Sequence, residues 1–209
     1  MSKRILVITG SPRPEGNSNK LAEAFIQGAQ ANGNTVEVLD ACSLDLDGCH
    51  GDGNCHKTGF CGLKDDGMKL HSLLCRSDVL VLVTPVYWKS FSSQIKRVVD
   101  RLFPYASPKG RELCSVKESC LIATAKNPDP AVFGPLKEEF DLVNTLLKFE
   151  CKGMLLAGGL GEPGAVADHP EYIREAVRLA MKLSAPQVDA SNPLMEKNHY
   201  LDKMKSYWL

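Results

Sequence analysis

The chain has 209 residues, 44% of them hydrophobic and 24% charged, with 25 basic and 25 acidic side chains that cancel. A balanced charge leaves no electrostatic footprint for nucleic acid or an anionic membrane, and it disfavours a strongly acidic electron shuttle. The longest apolar run, Val79 to Val83, falls far short of a bilayer span, and too few apolar residues follow Lys3 and Arg4 for a signal-peptide core. The expected setting is cytoplasmic, with the eight cysteines mostly free thiols.

In chain order, five short apolar runs read as strands: Ile5–Thr9, Thr35–Leu39, Val79–Thr84, Ser119–Thr124 and Gly153–Ala157. The first and third are nearly continuous Val, Ile and Leu, as strands covered on both faces require. Helical stripes lie between them. Leu21, Phe25 and Ala29 make one, and a second helix follows Lys64-Asp65-Asp66. Phe91, Ile95, Val98, Val99 and Leu102 make another, with Lys96, Arg97, Asp100 and Arg101 on the opposite side. Leu136, Phe140, Val143 and Leu147 form the fourth stripe. The last runs through Ile173, Ala176, Val177 and Ala180, with Asp168 as its expected N-cap and Pro170 just inside. Alternating strands and helices imply right-handed crossovers and an α/β fold: a doubly wound five-stranded parallel sheet in the order 2-1-3-4-5, helices on both faces. Residues 1–183 make one domain on this reading, and 184–209 a tail that ends in Tyr207, Trp208 and Leu209. Cys75, Cys120 and Cys151 lie in or beside apolar runs and are expected to pack as small hydrophobes.

In such a sheet ligands sit at the carboxyl ends of the strands, so the loops after the first and third strands should carry the chemistry. The first reads Gly10-Ser11-Pro12-Arg13-Pro14-Glu15-Gly16-Asn17-Ser18-Asn19. Its glycines permit tight turns, and its prolines delay the helix. Ser11, Asn17, Ser18 and Asn19 cluster short polar groups at a helix N-terminus, where free N–H groups and the dipole attract an anion. Arg13 adds a charge suited to phosphate. A plain helix cap by Asn17 or Ser18 would explain one of these residues and leave the others unexplained. The loop lacks the endings of a triphosphate P-loop or a dinucleotide fingerprint and has no cysteine nucleophile. A terminal phosphomonoester is the ligand that remains.

The stretch Ile5-Leu6-Val7-Ile8-Thr9-Gly10-Ser11-Pro12-Arg13 through Gly16-Asn17-Ser18-Asn19-Lys20-Leu21 resembles the opening of the flavodoxin-like NAD(P)H-dependent FMN reductase family. Thr84-Pro85-Val86-Tyr87-Trp88, then Ser90-Phe91-Ser92 and the helix to Asp100-Arg101, resembles that family's second signature, and Lys64-Asp65-Asp66 a recurrent feature of it. The resemblance implies FMN as cofactor, with Ser11, Arg13, Asn17, Ser18 and Asn19 on its phosphate. It implies Pro85, Val86, Tyr87 and Trp88 along the isoalloxazine ring, with Thr124 bordering it. NAD(P)H would be the co-substrate and a quinone, a nitro or azo compound, or free flavin the small-molecule acceptor. The flavin carries the chemistry, so no catalytic side chain is nominated. A homodimer or homotetramer is implied as well. Lys89 stands where the family would have a small residue. The glycine-rich run Gly158 to Gly164 reads as a flexible loop near the site. The alternative is an FMN-binding electron-transfer protein, in one form of the iron–sulfur flavoprotein type, whose four-cysteine set the cysteine loop from Cys49 to Cys61 resembles at Cys49, Cys55 and Cys61. Asp52 stands where the second cysteine is expected, and no metal ligand is assigned.

Overall fold

Runs of Val, Ile and Leu bring five parallel strands side by side in the computed structural model, which describes residues 2–183. They are β1 (Arg4–Thr9), β2 (Thr35–Asp40), β3 (Val79–Pro85), β4 (Glu118–Thr124) and β5 (Glu150–Ala157), in the order β2-β1-β3-β4-β5. This is the expected doubly wound sheet. The central strand β3 buries Val79 through Thr84 in succession, because helices cover both its faces.

On one face α1 (Asn17–Ala31) and α7 (Pro170–Met181) pack Leu21, Phe25, Ala176 and Leu179 against Ile5, Val7, Val81 and Val83. On the other, α3 (Gly67–Arg76), α4 (Ser93–Asp100) and α6 (Gly134–Leu147) set Leu70, Leu74, Ile95, Leu136 and Phe140 against Leu6, Ile8, Leu80 and Leu82. Alternate residues of each strand feed the two cores, as the pleat demands.

Two short helices lie outside the five expected ones, α2 (Cys55–Thr58) and α5 (Pro108–Leu113). α5 is set by Ser107, whose Oγ accepts from the Gly110 N–H at 3.1 Å, and by Pro108 in its first turn. α7 is entered through His169, not Asp168, which closes a preceding 3₁₀ turn. β5 begins three residues before the expected Gly153, next to a bulge in its pairing with β4 between Ser119 and Cys120. Cys120 is buried, whereas Cys151 is exposed on that edge strand and Cys75 only partly covered. The expected tail lies outside the described residues. No described helix is long and apolar enough to cross a membrane.

Candidate functional site

The loops after β1, β3, β4 and β5 meet at one end of the sheet. Gly10 leaves β1 with its N–H bonded to the Val83 carbonyl at 2.9 Å and its carbonyl accepting from Ser92 Oγ at 2.8 Å. A Cβ at Gly10 would stand 2.2 Å from Ile95 Cγ1, so only glycine lets the loop pass α4 this closely. The loop then curls around the Arg13 carbonyl, which accepts from Gly16 N–H at 3.0 Å and Asn19 Nδ2 at 2.9 Å. Ser11 Oγ accepts from the Arg13 N–H at 3.3 Å and lies 2.6 Å from where a Cβ on Gly16 would be.

α1 starts at once, with Gly16 as N-cap, no side-chain cap and no acidic residue in its first turn. The N–H groups of Asn17, Ser18 and Asn19 have no carbonyl partner within their own helix and no competing cap over them. Glu15, the nearby acid, is paired with Lys20 Nζ at 3.0 Å. Ser18 is 1% exposed and Ser11 8%, while Arg13 is exposed above them. Asn19 Oδ1 is buried without a partner among the described residues, an acceptor that a ligand hydroxyl would satisfy.

Asn17 takes a different part from the others. Its Nδ2 donates to the carbonyls of Glu162 at 2.8 Å and Leu160 at 3.4 Å, and its Oδ1 accepts from the Val166 N–H at 3.0 Å. The side chain is committed to the loop after β5, leaving its backbone N–H for a ligand. The same bonds, with Leu160 N–H to the Ala125 carbonyl at 2.9 Å, anchor the glycine-rich run that was expected to be flexible.

After β3, Thr84 Oγ1 accepts from the Ser92 N–H at 3.0 Å, and Ser92 caps α4 through the Ile95 N–H. Ser92 thus ties the two loops together. The sequence places Ser92 within the segment that resembles the family's second signature but gives it no role, although a serine three residues before Ile95 of the apolar stripe is a capping signal. The Val86 N–H bonds the Thr124 carbonyl at 2.8 Å, bringing Val86 and Thr124 together. Tyr87 and Ser90 then pair across a two-residue turn, with hydrogen bonds of 3.1 and 3.0 Å. Its central residues, Trp88 and Lys89, have φ of 51° and 62°, the hairpin form that asks for glycine or asparagine. Trp88 is 101% exposed and Tyr87 41%, so neither is a core anchor. Left-handed backbone explains why a small residue is expected at Lys89. Replacing Lys89 by glycine is expected to stabilise the chain by about 1 kcal/mol, a rise of roughly 2–4 °C in Tm. An unchanged or lower Tm by calorimetry would show that the turn is not strained.

Beneath the segment from β2 to α3 lies Arg101, expected on the solvent side of its helix and 1% exposed here. Its Nη1 donates to Cys61 Sγ at 2.9 Å, its Nε to the Asp47 carbonyl at 3.1 Å, and its Nη2 pairs with Asp65. Asp65 also accepts from the N–H groups of Asp47 at 3.0 Å and Gly67 at 2.9 Å, and Asp66 from that of Asp45 at 2.8 Å. Two hollows are lined by residues outside these loops. One, of about 530 Å³, lies against Met154 and Tyr172; the other, of about 440 Å³, lies against Tyr105 and Leu146. The glycine approaches and the uncapped N–H groups, in contrast, lie at the strand ends, which makes these the candidate site.

The profile of the NADPH-dependent FMN reductase family matches residues 3–126. An iron–sulfur flavoprotein of Archaeoglobus fulgidus is 36% identical over 98 residues, covering 47% of this chain and 44% of that protein. The chain spans about half the length of such curated relatives. A Bacillus subtilis protein named as an NAD(P)H-dependent FMN-containing oxidoreductase is 27% identical, over 87% of this chain and 99% of its own length. Among solved structures, NAD(P)H:quinone oxidoreductase from Methanothermobacter marburgensis superposes with a TM-score of 0.72 at 20% identity, covering 90% of this chain and all of that one. At that identity it speaks for the fold.

Proposed function

Because this chain belongs to the NADPH-dependent FMN reductase family, we propose that it is an FMN-dependent NAD(P)H oxidoreductase serving a small acceptor such as a quinone, a nitro or azo compound, or free flavin. One observation carries the reading. The first turn of α1 is uncapped and free of acid beneath a loop whose Gly16 leaves room for Ser11. That cradle fits a phosphomonoester dianion, which takes several N–H and O–H donors at a helix N-terminus.

Ser11, Arg13 and Ser18 would hold the phosphate, together with the backbone N–H groups of Asn17 and Asn19, while Asn19 Oδ1 would accept from a hydroxyl of the ligand. Pro85 and Val86 offer main-chain groups at the strand end, Tyr87 and Trp88 an aromatic wall, and Thr124 the border between the third and fourth strands. Bound FMN supplies the acceptance of a hydride from NAD(P)H and its release to the second substrate. The chain's own part is to orient the ring and to neutralise the phosphate, and no side-chain acid or base is needed for it. The reading carries with it a cytoplasmic setting and a homodimer or homotetramer, the latter checked by light scattering.

The cysteine loop does not fit a cubane cluster. Three thiols stand where four are wanted, and the guanidinium of Arg101 faces the sulfur of Cys61.

The experiment is a fluorescence titration of the apoprotein with FMN, followed by anaerobic mixing with NADPH and NADH. Bleaching of the bound flavin by either nucleotide is the expected result, and Arg13→Ala is expected to weaken FMN binding about tenfold, or about 1.4 kcal/mol. A chain that takes up no FMN would sink the proposal. Bound flavin that neither nucleotide reduces would favour the electron-transfer reading.

A further inference from the structure

We propose that the hollow of about 440 Å³ beside the carboxyl end of α6 is a second ligand site, built for a small aromatic carboxylate or sulfonate. It lies across the sheet from the candidate flavin site. Lys117 immediately precedes β4, and Lys148 closes α6 just before β5, so both stand at the amino ends of the strands. All five strands are parallel, and the loops that begin at Gly10, Val86 and Ala125 leave from their other ends.

The lining sets an apolar wall against a cationic one. Tyr105, Pro108 and Leu146 give the first, and Leu146 is 55% exposed, an apolar side chain left facing water. Arg111, Lys117 and Lys148 give the second, opposed among the described residues by the single carboxylate of Glu112. The acids that neighbour these lysines in the chain are engaged elsewhere, Glu118 with Lys3 at 2.6 Å and Glu150 with Lys152 at 2.6 Å. A concave surface with surplus positive charge concentrates an anion.

Arg111 is fixed in position. Its Nη2 donates to the Val116 carbonyl at 2.7 Å, its Nη1 to the Cys114 carbonyl at 3.4 Å, and the guanidinium lies 5.3 Å from the centre of the Phe149 ring. Those bonds use two of its five N–H donors and leave a held fork of the kind that suits a planar oxyanion. Burial raises the Cys114 thiol on the same wall; the Val116 backbone and then the charges of Arg111 and Lys117 oppose that rise, so both cations are felt there. Lys148 caps α6 with φ of 54°, a turn that favours glycine, so a lysine at this rim is held at a conformational cost. The volume falls in the range of small-molecule sites, and the apolar wall asks for a ring as well as a charge.

The test is equilibrium dialysis of 2-naphthalenesulfonate against the full-length chain, both FMN-saturated and free of FMN. One equivalent is expected to bind in both states, with neutral 2-naphthol and inorganic sulfate each at least about tenfold weaker. Lys148→Gly is expected to weaken binding about tenfold without lowering Tm, because glycine suits the turn. Leu146→Glu, at an exposed position, is expected to weaken it by at least as much. No uptake at about 1 mM ligand, loss of the site on FMN saturation, or unchanged affinity in either variant would overturn the proposal. So would sulfate binding as tightly as the naphthalene. Measured in apoprotein as well, the result stands or falls apart from the flavin reading.

Discussion

Arg101→Ala is expected to destabilise the fold by about 3 kcal/mol or more, the cost of leaving a buried carboxylate without its cation. Arg101 and Asp65 have side chains only 1% and 9% exposed, so solvent does little to screen the pair or to replace it. The variant would also empty the space between α4 and the chain from Asp47 to Asp65, and it would orphan the Asp47 carbonyl. Asp65 keeps two backbone donors, from Asp47 and Gly67, which places the loss toward the lower end of the range for broken buried pairs. Arg101→Met, which fills the space without the charge, is expected to cost less than the alanine variant. Adding Asp65→Asn to it should recover part of the remaining loss, because an amide tolerates burial better than an unpaired carboxylate. Urea unfolding of the four proteins checks this. An alanine variant within about 1 kcal/mol of the parent would show that the ion pair's desolvation cost cancels its attraction.

Arg101 also shows where the sequence stops being legible. Its position among Lys96, Arg97 and Asp100 reads as the wet side of an amphipathic helix. What buries it is the segment from Asp47 to Asp65, which carries no helix or strand period of its own. The sheet posed no such problem. Its strands are buried runs whose residue types announce two covered faces, alternation with helices makes the sheet parallel and doubly wound, and 2-1-3-4-5 is the common order for five such strands. α2 and α5 escaped because four and six residues are too few to show a period.

The candidate site divides in the same way. Local chemistry located the turn around Arg13 and the uncapped start of α1, because glycine, proline and short polar residues act within a few positions of themselves. The commitment of Asn17 to Leu160, Glu162 and Val166 joins residues 143 to 149 apart, and nothing local signals it. Lys89 lies between these cases: the small residue expected there has a backbone reason, a left-handed φ, that a sequence does not print.

Lowering the pH is expected to weaken the fold through His71, by roughly 3 kcal/mol between pH 6.5 and pH 4. His71 is 1% exposed on α3, its Nδ1 bonded to the Tyr105 hydroxyl and its Nε2 buried without a partner among the described residues. Burial, and then the positive charge of Arg101, depress its pKa to about 4, with Asp65 opposing them. The unfolded chain takes up a proton near the ordinary histidine value of about 6.5, while the folded chain stays neutral until about 4. Protons therefore favour the unfolded state throughout that window. The stability is whole above pH 6.5, falls as the pH drops, and has lost the full amount below pH 4. His71→Gln keeps a polar partner for Tyr105 but does not titrate, so its unfolding free energy is expected to fall less steeply across the window than the parent's. Arg101 supplies part of the depression, so Arg101→Met is expected to raise the histidine pKa and flatten the same slope from the other side. Equal slopes for the parent and His71→Gln, from urea unfolding at closely spaced pH, would assign the acid lability to carboxylates instead. A flatter slope in both variants would show that one buried imidazole and one buried guanidinium oppose each other beneath the cysteine loop.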